Sequence, residues 1–266
     1  MKSLRLVLVA LATLLGLTGC FQVEKVVKVK PDGSGTVEET VLFTKAALAS
    51  FQQMAASVPG NKEGAAKAPD IYDEAKLKDA AAKMGAGVTF VSAQKISNEQ
   101  GEGFTATYAF SDINKLTIDQ NPGEAVPTGN VKASSDKREP IVFHFTKGTP
   151  AELTLTTTPP NFQPRKVQPP GMEDMAMKMM KKILQDMHLS LVVEVQGTIL
   201  ETNAEYHDGP CVTLLDLDFN KVLADPEKFQ ALARANPQTL QDAKGLLKGL
   251  DGVKIETAPE VKIKFQ

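Results

Sequence analysis

Tryptophan is absent from this chain, and 266 residues hold only three Tyr, three His and two Cys. Each shortage removes a class of function. Without Trp, and with so few Tyr, there is little material for the aromatic platform on which sugar rings stack. His144, His188 and His207 lie far apart and share no metal-ligand spacing. No G-x-S-x-G, H-E-x-x-H, C-x-x-C or P-loop occurs, so enzyme activity has no motif behind it and would need a site assembled only in three dimensions. An excess of one charge is missing as well: 30 Lys and Arg face 32 Asp and Glu. Such a balance leaves no electrostatic footprint for nucleic acid. Beyond residue 20 the apolar runs are only a few residues long, which excludes a membrane-spanning helix there.

The one long apolar run stands at the start. Lys2 and Arg5 precede Leu6–Leu17, interrupted only by Thr13 and Gly16, and Leu17-Thr18-Gly19-Cys20 closes it. This is the layout of an export signal, too short for a stop-transfer helix. The tetrapeptide resembles the lipobox of bacterial lipoproteins. The resemblance implies removal of residues 1–19, acylation of Cys20, and a mature chain of 247 residues with 28 basic and 32 acidic side chains. Multiple acyl chains would hold the protein to a membrane, each buried methylene contributing about 0.8 kcal/mol. Phe21 rather than Asp after Cys20 resembles the outer-membrane sorting pattern of enteric bacteria, which implies the periplasmic side of an outer membrane. Cys211 then has no intramolecular partner, and at the head of a β-like run it reads as a small apolar residue rather than a reactive thiol.

Along the mature chain the hydrophobic period changes repeatedly between two and three to four. Phe21, Val23, Val27 and Val29 alternate with polar residues, Pro31-Asp32-Gly33-Ser34-Gly35 supplies a turn, and Val37, Val41 and Phe43 resume, predicting a hairpin over 22–44. No Ser/Gly tether separates Cys20 from this strand, so the fold is expected close against the bilayer. Leu48, Phe51, Ala55 and Val58 predict a helix over 45–58, and Asp70 is positioned to cap a second helix through Leu77, Ala81 and Met84, ended by Gly85. Strands are expected over 88–96 and 104–110, then a short helical turn after Asp112, a polar loop over 118–139, and a second hairpin carrying Ile141, Phe143, Phe145, Leu153 and Leu155. Five prolines within 159–171 exclude regular structure there. A helix over 172–187, a strand through Leu189, Leu191, Val193 and Val195, and a strand over 211–219 follow. Asp225-Pro226 and Asn236-Pro237 open two helices, and strands finish the chain over 253–265. Hairpin connections predominate, so the expected class is α+β, with antiparallel sheet hairpins and packed helices. A signal peptide (1–19), an N-terminal α+β region (20–158), a Pro-rich linker or loop (159–171) and a C-terminal α+β region (172–266) are distinguished. The two α+β regions can also form one continuous domain.

The stretches VEKVVKVKPDGSGTVEETVLF, FTATYAFSDINKL and VEVQGTILETNAEYHDGPCVTLLDLDF together resemble a group of bacterial lipoproteins of unknown activity, loosely LppM-like. In that pattern a turn-bearing hairpin follows the lipidated Cys and a late strand pair carries residues matched here by Gly197, Ile199, Asn203, Gly209 and Val212-Thr213. Leu214 stands where the pattern often has Trp. The resemblance implies an envelope lipoprotein and carries over no catalytic residue.

Three constellations call for weighing. Met172, Met175, Met177, Met179, Met180 and Met187 crowd sixteen residues just before His188. Thioether and imidazole suit Cu(I), which makes Met177 and His188 candidate metal ligands. On a helical wheel, however, Met172, Met175, Met179, Met180, Ile183 and Met187 share one stripe, with Met177 alone among the charges, so packing is the favoured account. Asp216, Asp218, Asn220 and Glu227 match positions 1, 3, 5 and 12 of an EF-hand loop, yet Lys221 occupies the position that needs Gly. Outward strand positions explain Asp216 and Asp218 more simply. His144 alternates with Phe143 and Phe145 and is expected to face away from their core. The favoured function is a non-enzymatic envelope module, anchored through Cys20, that binds a protein or lipid partner and needs no cofactor. The alternatives are periplasmic copper handling on the Met-rich helix and a hydrolase with a dispersed site.

Overall fold

A computed structural model describes residues 21–49, 71–120, 139–158, 173–235, 240–247 and 249–266. The signal segment, Cys20, most of the 45–58 helix, the 121–138 stretch, the Pro-rich 159–171 stretch and Asn236-Pro237 lie outside these residues. Within them the alternating runs become strands. β1 (Phe21–Val29) and β2 (Gly35–Thr44) form the first hairpin, and residues 45–49 continue as helix. Helix α1 (Glu74–Lys83) leads to β3 (Thr89–Ser97) and β4 (Gly101–Phe110). A 3-10 turn (Ile113–Lys115) precedes β5 (Thr117–Ile118), and β6 (Ile141–Thr146) and β7 (Ala151–Thr156) form another hairpin. Helix α2 (Glu173–Leu184) precedes β8 (His188–Val195), β9 (Ile199–Thr202), β10 (His207–Asp208) and β11 (Cys211–Asp218). Helices α3 (Phe219–Ala224), α4 (Pro226–Arg234) and α5 (Leu240–Leu247) then lead to β12 (Val253–Ile255) and β13 (Glu260–Phe265).

These strands form two sheets. The larger runs β10-β11-β8-β1-β2-β4-β3, with β12 also on β11; the smaller runs β5-β6-β7-β13-β9. Strands dominate, so the class is α+β with far more sheet than the expectation of hairpins and packed helices implied. One ladder also departs from the antiparallel expectation: β1 pairs with β8 in parallel, from Gln22 with His188 to Val29 with Val195. Strand pairing in either direction leaves the same side chains of β1 on the inward face, so side-chain alternation alone does not decide between parallel and antiparallel.

Registers explain the core. Tyr108, Val37, Val27, Val193 and Val212 are successive cross-strand partners on one face of the larger sheet, and all are fully buried. Removing each such Val from water contributes roughly 1.5–3 kcal/mol. Against this face packs the smaller sheet through Ile141, Phe143, Leu153, Leu155, Val261, Ile263 and Phe265, in one continuous core. Helix α1 adds Leu77 and Ala81 to the same core. Its cap is Asp73, not Asp70: the Asp73 carboxylate accepts the N–H groups of Ala75 and Lys76, and Gly85 follows the helix at φ 131°. Both aspartates have capping chemistry, and the helix begins at the one that brings Leu77 and Ala81 inward. The expected cap at Asp225 is present, with Pro226 in the first turn. The strand expected over 211–219 ends at Asp218, which caps α3 beginning at Phe219.

The first turn fixes the two sheets against each other. Gly33 sits at φ 85°, its carbonyl accepts the N–H of Ile113 at 2.9 Å, and a β-carbon there would lie 2.7 Å from Cδ1 of Phe145 on β6. Gly33→Ala is therefore expected to cost more than the ~1–2 kcal/mol of left-handed strain alone, because the ring must also move. A double-mutant cycle with Phe145→Leu, read by denaturant unfolding, should recover part of the loss. Independent effects of the two substitutions would show that the turn does not press on the ring.

Candidate functional site

Next to the all-apolar row lies a row of another character. Ala106, Glu39, Lys25, Leu191 and Leu215 are cross-strand partners from β4 to β11. Lys25 Nζ meets Glu39 Oε1 at 2.9 Å, with side-chain exposures of 8% and 5%. Tyr108, diagonal to Glu39 on the same face, has its hydroxyl buried with no hydrogen-bond partner among the described residues. Burial, reinforced by the Glu39 charge, pushes ionisation of this phenol far above its ordinary range.

Two strands over from Glu39, the same row becomes the floor of a cleft. Leu214 and Leu215 are consecutive, but the register shifts between Thr213 and Leu215, and both line the cleft with Leu191 and Ile255. Ile141 of the smaller sheet lines it too, while Gln120, Thr157, Thr158, Glu256 and Thr257 add polar groups. Its volume is about 50 Å³, room for a few water-sized groups. Glu256 is spent on structure, its carboxylate accepting the N–H groups of Glu205, Thr257 and Ala258 at 2.7–2.8 Å. The Thr257 hydroxyl, by contrast, is buried without a partner among the described residues. The combination of an apolar floor, hydrogen-bonding walls and an unpaired hydroxyl can seat an apolar group that carries a polar atom. Among the described residues that line it, no nucleophile is hydrogen-bonded to a base.

The residues singled out in the sequence go elsewhere. Met177 does not lie among the charges: with Met180 and Leu184 it packs on Val222, Leu223 and Phe229 of α3 and α4. Met172 and the side chains of Met175, Met179 and Ile183 lie outside the described residues, and Met187 is half-buried. His188 is on β8, its Nε2 2.8 Å from Asp216 Oδ1, with Lys254 4.0 Å from the other oxygen. Among the described residues no group of three His, Cys, Asp or Glu is arranged to hold a metal ion. The EF-like residues separate into local roles. Asp218 caps α3, Asn220 exchanges hydrogen bonds with Asp186 at 3.0 Å, and Glu227 lies in the first turn of α4. Burial opposes ionisation of Asp218, yet the side chain, N–H and charge of Lys221 together lower its pKa. Asp218 thus ends β11, on the same face as Asp216, and also caps α3. Cys211 is half-buried, and burial together with the Glu194 and Asp208 charges raises its thiol pKa, the opposite of activation. His144 is exposed, opposite in direction to Phe143, and His207 is exposed on β10.

Sequence reasoning missed the cleft and the buried pair. The only local signal was a charge at an inward position of each strand, Lys25 and Glu39, within otherwise apolar alternation.

Comparison with known proteins adds little to this geometry. No family model matches the chain, and no curated protein matches it. Among solved structures, the NMR structure of the folded domain of Mycobacterium tuberculosis LppM aligns with 93% of this chain and 91% of that one, at 10% identity and a TM-score of 0.31. Among the described residues no helix is long and apolar enough to cross a membrane.

Two outcomes follow from the packing. Glu39→Ala leaves the Lys25 charge buried and unpaired and is expected to cost about 3–5 kcal/mol, while Lys25→Met with Glu39→Leu should be near neutral or stabilising; urea unfolding of both variants checks the contrast. Met177→Lys places a charge in the α2–α3–α4 seam and should lower stability by several kcal/mol. Met177→Leu should change it by less than about 1.5 kcal/mol. Thermal unfolding of Met177→Lys indistinguishable from the parent would remove Met177 from the seam.

Proposed function

We propose that the protein is a lipid-anchored envelope module that binds a protein or lipid partner and performs no catalysis. The cleft carries this reading: Leu191, Leu214, Leu215, Ile255 and Ile141 offer an apolar seat, with Gln120, Thr157 and Thr158 as polar groups beside it. The anchoring part of the reading rests on Lys2, Arg5, the Leu6–Leu17 run and Leu17-Thr18-Gly19-Cys20. Phe21 supports placement on the periplasmic side of an outer membrane.

Both parts are testable on one sample. Intact-mass analysis of the chain purified from envelopes should show a mature form beginning at an acylated Cys20; an unmodified Cys20 sinks the anchoring reading. Native mass spectrometry of the same material should show a bound lipid or peptide. The adduct should be lost in Thr158→Trp, which fills the cleft from its exposed rim without changing the melting temperature. An adduct that survives Thr158→Trp would place binding somewhere other than the cleft.

A further inference from the structure

β1 begins at Phe21, the residue after Cys20. The registers then determine what shares that end of the larger sheet. Phe21 pairs with Phe43 near the end of β2, and Gln22 pairs with His188, the first residue of β8. His188 pairs in turn with Asp218, the last residue of β11, and Leu217 pairs with Val253, the first residue of β12. Helix α2 leads into β8, and α3, α4 and α5 connect β11 to β12. All four helices are therefore joined to the sheet at the end where β1 begins. Chain geometry alone keeps the C-terminus of α2 within about 30 Å of the Cys20 backbone.

Helix α2 has two unlike sides. Met177, Met180 and Leu184 are packed against the α3–α4 cluster. Lys178, Lys181 and Lys182 are exposed, and none forms an ion pair among the described residues. Two lysines of the neighbouring helices are engaged: Lys221 lies 3.1 Å from Asp218 and Lys228 3.5 Å from Asp225, both helix caps. We propose that α2 is the face of the folded protein that rests on the membrane, with Lys178, Lys181 and Lys182 among the phosphates of anionic lipids. The proposal rests on the reading of Cys20 as an acylated anchor, and it goes further by assigning the orientation of the domain. A mildly acidic chain has no general attraction to such a surface, and a local cation patch acts only within about a Debye length, roughly 8 Å in physiological salt. The anchor supplies that proximity: it makes the lysine contact intramolecular, so even a weak attraction is occupied. A basic amphipathic helix is the usual vehicle for this kind of contact.

The test uses the full lipidated chain in vesicles of phosphatidylethanolamine and phosphatidylglycerol, compared with phosphatidylcholine vesicles. Pulse labelling with an amine-acylating reagent is read by peptide mass spectrometry. Lys178, Lys181 and Lys182 should label about fivefold more slowly on the anionic vesicles, with the difference removed by high salt. Lys147, close to Asp32 at the opposite end of β1, is the internal control and should label equally on both. Equal labelling of the α2 lysines on both vesicles, with the chain bound, overturns the proposal. Protection seen in intact cells but not on vesicles overturns it too, and assigns the lysines to a protein partner. A chain that fails to float with either vesicle and carries an unmodified Cys20 refutes the anchor, and the proposed orientation with it.

Discussion

The parallel ladder between β1 and β8 is the constraint on which the rest of the molecule depends. β1 is bonded on one side to β2, its neighbour in sequence, and on the other to a strand that follows most of the chain. Through β8 come β11, β12 and the four C-terminal helices, and through β2 come β4, β3 and α1. Without this ladder the buried row from Tyr108 to Val212 would be cut between Val27 and Val193. A contact of such long sequence separation is entropically expensive to close, though the cost grows only slowly with length. It is stabilised by two-sided burial of Val27 and Val193, which no local element provides.

The Lys25–Glu39 pair gives the β1–β2 hairpin, on which that ladder is built, a preferred register. On strands whose inward positions near the pair are Val, a slip of two residues conserves the local apolar pattern. It does not conserve the ion pair: Lys25 would face Val37 or Val41 in place of Glu39. An unpaired charge in this interior is far more costly than a misplaced methyl group. The same row continues into the floor of the cleft through Leu191 and Leu215, so the residues that hold the register also position the apolar seat.

Much of the sheet was legible because alternation is a local signal. β1, β2, β4, β6, β7 and β8 follow the runs of Val, Phe and Leu that predict them, and Gly33, Asp112 and Asp225 act as turn and cap residues where expected. The errors occur where one local pattern fits two arrangements. Asp70 and Asp73 have identical capping chemistry, and only the burial of Leu77 and Ala81 selects the second. On α2 methionine occupies several faces, so a stripe can be drawn without Met177, and the partners Val222, Leu223 and Phe229 decide that Met177 belongs inside. The spacing of Asp216, Asp218, Asn220 and Glu227 imitates a cation loop, but a strand end and two helix starts divide them among different tasks.

Residue order by itself determined most of the alternating strands, the turn at Gly33 and the α+β class in outline, though not how far sheet outweighs helix. Each of these depends on neighbours a few positions apart, where backbone sterics and hydrophobic period act directly. The parallel ladder, the facing of Lys25 and Glu39, the cleft between Leu215 and Ile141 and the packing of α2 on α3 and α4 were decided only in the tertiary structure. They join residues whose mutual distance is set by strand register rather than by separation along the chain, and register follows from which buried surfaces fit together.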